Sequence, residues 1–131
     1  MFYPVLDRIK NKHDLIPSSL IHSFDQWLGL LPPFRRKAII PQDFTADAGV
    51  EDYQADTLFR LAQDIGLFRP VYSIFCPECE ELVDAVHSPL DLENSVICLN
   101  GHIFVPAEYE YYVRLHYEVL IPPVPPKKSL L

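Results

Sequence analysis

Glycine is scarce in this chain of 131 residues, with four in all and no two together. That excludes a Gly-rich phosphate cradle, and neither a Gly-x-Ser-x-Gly elbow nor a His-Glu-x-x-His helix is present. Cysteine is rarer still, with three. An odd number cannot form a disulfide framework, and Met1-Phe2-Tyr3-Pro4 lacks the charged and apolar regions of a secretory signal. No apolar run approaches the ~20 residues that cross a bilayer. The expectation is a cytoplasmic protein with no membrane partner. Basic residues are outnumbered by acidic ones, 11 to 18, for a formal charge of −7. Arg35-Arg36-Lys37 and Lys127-Lys128 are the basic clusters. Binding to phosphate backbones draws on a basic face, so general nucleic-acid affinity is not expected.

All three cysteines fall in one stretch. Cys76-Pro77-Glu78-Cys79 is followed, after eighteen residues, by Cys98-Leu99-Asn100-Gly101-His102. A Cys-x2-Cys pair and a Cys-x3-His pair, one hairpin apart, read as four ligands of a single tetrahedral zinc. Pro77 fixes a backbone φ in the first turn, and Gly101 permits a positive φ in the second. The flanks Val71–Phe75 and His102–Val105 are strand-like and would hold the two turns face to face. Other readings are weaker. A redox Cys-x2-Cys belongs to a βαβ context that is missing around Cys76, and Glu78 and Glu80 are expected to raise the thiol pKa values. His87, between the two turns, competes with His102 as the fourth ligand, and the sequence leaves that choice open. The expected cofactor is one structural Zn2+.

Hydrophobic spacing places helices in the first half. Phe2, Val5, Leu6 and Ile9 suit a short amphipathic helix over residues 2–13 with Pro4 in its first turn. Leu20, Ile21, Phe24, Trp27, Leu28 and Leu31 form a buried stripe of a helix that Ser18 or Ser19 would cap and Pro32-Pro33 would end. Pro41–Ala48 reads as a short helix stopped by Gly49. A third helix from Glu51 has Ala55, Leu58, Phe59, Ala62 and Ile65 inward and Gly66 just past its end. Two helices joined by a tight turn after a first helix make a helix-turn-helix arrangement, and Leu67–Phe75 supplies the strand of a winged version. Leu82–Val86 returns, Ser88–Asn94 is a polar loop, and Ser95–Ile97 with His102–Val105 form a second hairpin. Residues 109–121 fit both strand and helix periods, and their tyrosine and valine content favours strand. The fold class is therefore α+β: a winged helix-turn-helix-like part over residues 1–70, a β-rich zinc ribbon with the last strand over 71–121, and a Pro-rich tail over 122–131.

Nothing in the pattern points to an enzyme or to a small-molecule substrate. Three cysteines and a histidine fill a zinc shell, whereas a catalytic zinc keeps one position open. The third helix bears on DNA binding, since that element enters the major groove in a helix-turn-helix. Its outward residues, Glu51, Asp52, Gln54, Asp56, Gln63 and Asp64, offer one cation, Arg60, and carboxylates there would oppose phosphates.

The succession of helices, a third helix ending in Ile65-Gly66-Leu67-Phe68, a strand, Cys76-Pro77-Glu78-Cys79 and Cys98-Leu99-Asn100-Gly101-His102 resembles small bacterial winged-helix proteins fused to a zinc ribbon. The resemblance covers roughly residues 18–115. It implies an accessory adaptor or regulatory subunit of a larger complex, such as those encoded beside NTPases in anti-phage systems, with Cys76, Cys79, Cys98 and His102 as zinc ligands. A protein partner is expected, and Tyr109, Tyr111, Tyr112, Tyr117 and Arg60 are the candidate contact residues, because tyrosine supplies large contact area with few rotors to freeze. The competing expectations are a DNA-binding regulator using Arg35, Arg36 and Lys37, and an acidic DNA mimic that occupies a partner's basic groove.

Overall fold

The computed structural model describes residues 1–10 and 16–125. Its helices are α1 (Ser18–Leu30), α2 (Pro41–Ala48) and α3 (Asp52–Asp64). The strands β1 (Phe68–Phe75), β2 (Leu82–Val86), β3 (Val96–Ile97), β4 (Ile103–Phe104) and β5 (Val113–Val119) follow, with short 3-10 turns between elements. The chain is thus α+β. It divides into two compact units, Met1–Arg69 with Glu118–Leu131, and Pro70–Tyr117.

In the first unit the expected stripe on α1 is inward. Leu20, Ile21, Phe24 and Leu28 are buried, with Leu31 just beyond the helix end, while Trp27 of that stripe is half-buried. Leu31 turns to extended backbone before Pro32, as the residue ahead of a proline must. The helix start differs from expectation. Pro17 occupies the N-cap position with no side-chain cap bond, and Ser18 and Ser19 are already helical. Pro at this boundary gives up an N–H that the first helical turn leaves unpaired in any case. Helix α2 begins with Pro41 at its first position, the Asp43 carboxylate accepts from the Ile40 N–H at 3.0 Å, and Gly49 ends it at φ 68°. Helix α3 buries Ala55, Leu58, Phe59 and Ala62 and leaves Ile65 half-buried at its end. Helix α2 packs against both α1 and α3, and Phe24, Phe44, Phe59 and Phe68 meet in edge and tilted contacts of 5.0–5.8 Å. Such aromatic pairs add about 0.5–1.5 kcal/mol each beyond their buried area.

Pro4–Ile9 forms a 3-10 turn rather than an α-helix, burying Leu6 and Ile9; residues 11–13 of the expected helix lie outside the described residues. This segment is tied down by a buried carboxylate. Asp25 is fully buried on α1, and its two oxygens accept from the N–H groups of Phe2 at 2.9 Å and Tyr3 at 2.7 Å. The Phe2 ring lies so close over Gly29 that an added Cβ would meet it at 2.2 Å. The start of the tail is also held, since the Val124 N–H donates to the Phe2 carbonyl at 2.7 Å. Pro126–Leu131, and with them Lys127 and Lys128, lie outside the described residues.

In the second unit β1 runs antiparallel to β2, within a sheet of order β2-β1-β5. The register shifts between Ile74, opposite Asp84, and Phe75, opposite Leu82, leaving Val83 as the extra residue of a bulge. β3 and β4 form a separate two-stranded hairpin with Val96 opposite Phe104 and Ile97 opposite Ile103. The core of this unit is small: Ile74, Cys76, Cys98 and Phe104 are buried, with Cys79, Val83, Leu92, Val96 and Val113 packed against them. Of residues 109–121, Val113–Val119 is strand, as their composition favours, whereas Glu110–Tyr112 is a 3-10 turn.

Candidate metal centre

Two short turns build the site. In the first, which follows β1, the Cys76 N–H donates to the Glu81 carbonyl at 2.9 Å and the Glu80 N–H returns to the Cys76 carbonyl at 2.8 Å. In the second, between β3 and β4, the Cys98 N–H donates to the His102 carbonyl and the Gly101 N–H to the Cys98 carbonyl, both at 3.0 Å. Gly101 sits at φ 85°, and in the first turn Glu80 adopts φ 60°, a conformation that L side chains rarely take. Each turn therefore uses one left-handed residue to bring its two ligands to the same side.

Cys76, Cys79, Cys98 and His102 come together with all four donor atoms within 4.8 Å of one another. The Cys79 and Cys98 sulfurs are 3.8 Å apart, and His102 Nδ1 lies 3.3 Å from the Cys98 sulfur and 3.6 Å from that of Cys76. Tetrahedral bonds of about 2.3 Å to sulfur and about 2.0 Å to nitrogen put two sulfurs about 3.8 Å apart and sulfur about 3.5 Å from nitrogen. The observed separations fit one metal ion held by three sulfurs and one nitrogen. His87 is not part of this group; its Nδ1 is 3.1 Å from the Pro70 carbonyl oxygen.

The surroundings tune the ligands. Burial pushes the Cys76 thiol up. Cys79 is lowered, chiefly by the Glu81 backbone N–H directed at its sulfur. Burial also acts to raise Cys98, but the backbone N–H groups of His102 and Asn100 outweigh it and bring that thiol down. The expectation that nearby carboxylates raise the thiols therefore fails for Cys79 and Cys98, because amide dipoles aimed at the sulfurs decide. Glu78 has a different job, which the sequence spacing did not reveal: its carboxylate accepts from His102 Nε2 at 2.8 Å. That contact fixes the ring so that Nδ1 faces the sulfurs, the outer-shell arrangement common to metal-bound histidines.

The other expected contact residues are scattered. Tyr111 is 92% exposed and Arg60 is exposed on α3, while Tyr109 and Tyr112 pack edge to face at 6.5 Å. Tyr117 is only 7% exposed, so its ring is not available as contact area. No protein-family model, no curated protein and no solved structure matches the chain. No helix among the described residues is long and apolar enough to cross a membrane.

Proposed function

We propose that the chain is a non-enzymatic zinc-binding adaptor or regulatory subunit, a winged-helix-like part joined to a zinc ribbon, that binds a protein partner within a larger complex. The observation that carries this reading is the closed donor set. Three thiolates and His102 Nδ1, all within 4.8 Å of one another, would satisfy zinc completely and leave no position for water or substrate. Sulfur-rich tetrahedral sites favour zinc over magnesium, calcium or manganese, which prefer oxygen. Cys76, Cys79, Cys98 and His102 would hold the ion, and its chemistry there is structural: it cross-links two turns whose own core is small.

Two further features favour a protein over DNA as partner. Glu51, Asp52, Asp56 and Asp64 are exposed on or beside α3, against Arg60 alone. The basic cluster is partly engaged, with Arg35 paired to Asp47 at 3.6 Å and Arg36 donating to the Leu31 carbonyl at 3.4 Å. Purification of the tagged chain from its native host, with metal analysis on the same sample, tests the reading. A stoichiometric protein partner and one zinc are expected. A zinc protein recovered alone, in a fraction that retains duplex DNA at moderate salt, overturns it.

A further inference from the structure

Charge is divided unevenly along the chain. Pro70–Tyr117 contains eight carboxylates and one cation, Arg114, so the whole formal charge of −7 resides there, while the remaining residues carry ten of each sign. Three thiolates around one dication add about one further negative charge. The unit's one cation, Arg114, holds its guanidinium 5.0 Å over the Phe75 ring. This unit is suited to meet a cationic surface.

The same unit exposes an apolar groove of about 450 Å3, lined by Val83 and Asp84 of β2, Glu93 and Ser95 of the following loop, Val96 and Ile97 of β3, and Ile103 of β4. Ile97 and Ile103 face each other across the hairpin, yet they are 60% and 73% exposed. Directly opposed residues on an antiparallel pair share a face, so these two form one aliphatic surface. Apolar area left open in this way is a common mark of an interaction site. The lining carries no cation. Asp84 is held in place by the Ala85 N–H, which donates to its Oδ1 at 2.8 Å, and Glu93 has no ion-pair partner among the described residues. β2 and β3 are outer strands of their sheets, each with one neighbour among the described residues.

We propose that this groove docks a short extended segment of a partner protein in which an aliphatic side chain is flanked by lysine or arginine. The aliphatic residue packs on Ile97 and Ile103, and the flanking cations pair with Asp84 and Glu93. Charge complementarity selects this occupant. An acidic segment or a phosphate backbone would meet the field of the whole unit at close range, whereas a cationic one is steered toward it. The inference rests on the adaptor reading and names the surface and chemistry of its partner.

The test is selection of a random dodecapeptide library on the zinc-loaded full chain, followed by affinity measurement with the most enriched peptide. Enriched peptides are expected to share an aliphatic residue flanked by Lys or Arg. The Asp84→Lys/Glu93→Lys and Ile103→Ser variants, checked to retain one zinc per chain, should each weaken binding about tenfold or more. Added salt should weaken the wild-type complex and have less effect on the charge-reversed variant. The proposal is overturned if no peptide is enriched, if the enriched peptides lack cationic residues, or if both variants bind as the wild type does. It also falls if the concentrated chain self-associates through this groove, which would make a second copy the occupant. Peptides that lose binding through Tyr111→Ser and not through the groove variants would remove the groove and leave the adaptor reading standing. Recovery of the chain without any partner from its host would remove that reading itself.

Discussion

Asp25 is the residue on which the N-terminal segment depends. It lies on the inward side of α1, and two backbone N–H groups that would otherwise be buried without partners end on its carboxylate. Hydrogen bonds to a charged group contribute about 1.5–3 kcal/mol, so Asp25→Ala should lower unfolding stability by about 2–3 kcal/mol in urea titrations, without changing metal content. Tyr3 beside it has the opposite character. Its ring is fully buried, and its hydroxyl has no hydrogen-bond partner among the described residues. Burial pushes its phenol up, and the nearby Arg36 offsets this in part. A raised native value means the folded state keeps the proton longer. The stability Tyr3 contributes is therefore intact below about pH 10 and is lost as pH rises through the higher native value. Tyr3→Phe should remove that alkaline loss when stability is compared across pH. The two left-handed residues predict opposite effects. Glu80→Gly should stabilise by up to about 1 kcal/mol, and Gly101→Ala should cost about 1–2 kcal/mol although nothing lies within 4 Å of the added Cβ, because the cost is conformational.

Elements defined by local rules could be read from the sequence in advance. Helices α2 and α3 follow from apolar spacing and their terminal residues, and the two turns of the proposed metal site follow from Cys-x2-Cys and Cys-x3-His, whose proposed ligands lie within four residues of each other. What depended on distant contacts was not legible. The Asp25 clamp joins residues 22 and 23 apart, the Val83 bulge depends on its pairing with β1, and Glu110–Tyr112 leaves the strand pattern for a 3-10 turn. The choice between His102 and His87 was also beyond spacing, since each falls within reach of a hairpin. The geometry separates them, and metal binding checks the result. His102→Ala should abolish stoichiometric metal, His87→Ala should leave it unchanged, and Glu78→Gln should weaken affinity about tenfold by releasing the ring. Competition with a chromophoric chelator measures all three.

At the scale of the molecule, the two units rely on different sources of stability. Met1–Arg69 with Glu118–Leu131 contains an aromatic core, whereas the core cluster beside the proposed metal site in Pro70–Tyr117 has four buried residues, of which Cys76 and Cys98 are proposed ligands. Structural zinc supplies about 10–16 kcal/mol of apparent binding free energy at neutral pH, more than so small a core can replace. Chelation should therefore speed amide exchange at Cys76, Cys98 and Gly101 while α1 and α3 keep their protection. Loss of protection along the whole chain at once would contradict that division. The claim beneath all of this is a closed shell of three sulfurs and one nitrogen around a single zinc. X-ray absorption at the zinc edge of the purified full chain, with metal stoichiometry from the same sample, tests it most directly. The account predicts one zinc per chain, with three sulfurs at about 2.3 Å and one nitrogen at about 2.0 Å. A chain that binds no metal, or a shell rich in oxygen with exchangeable water, would contradict it.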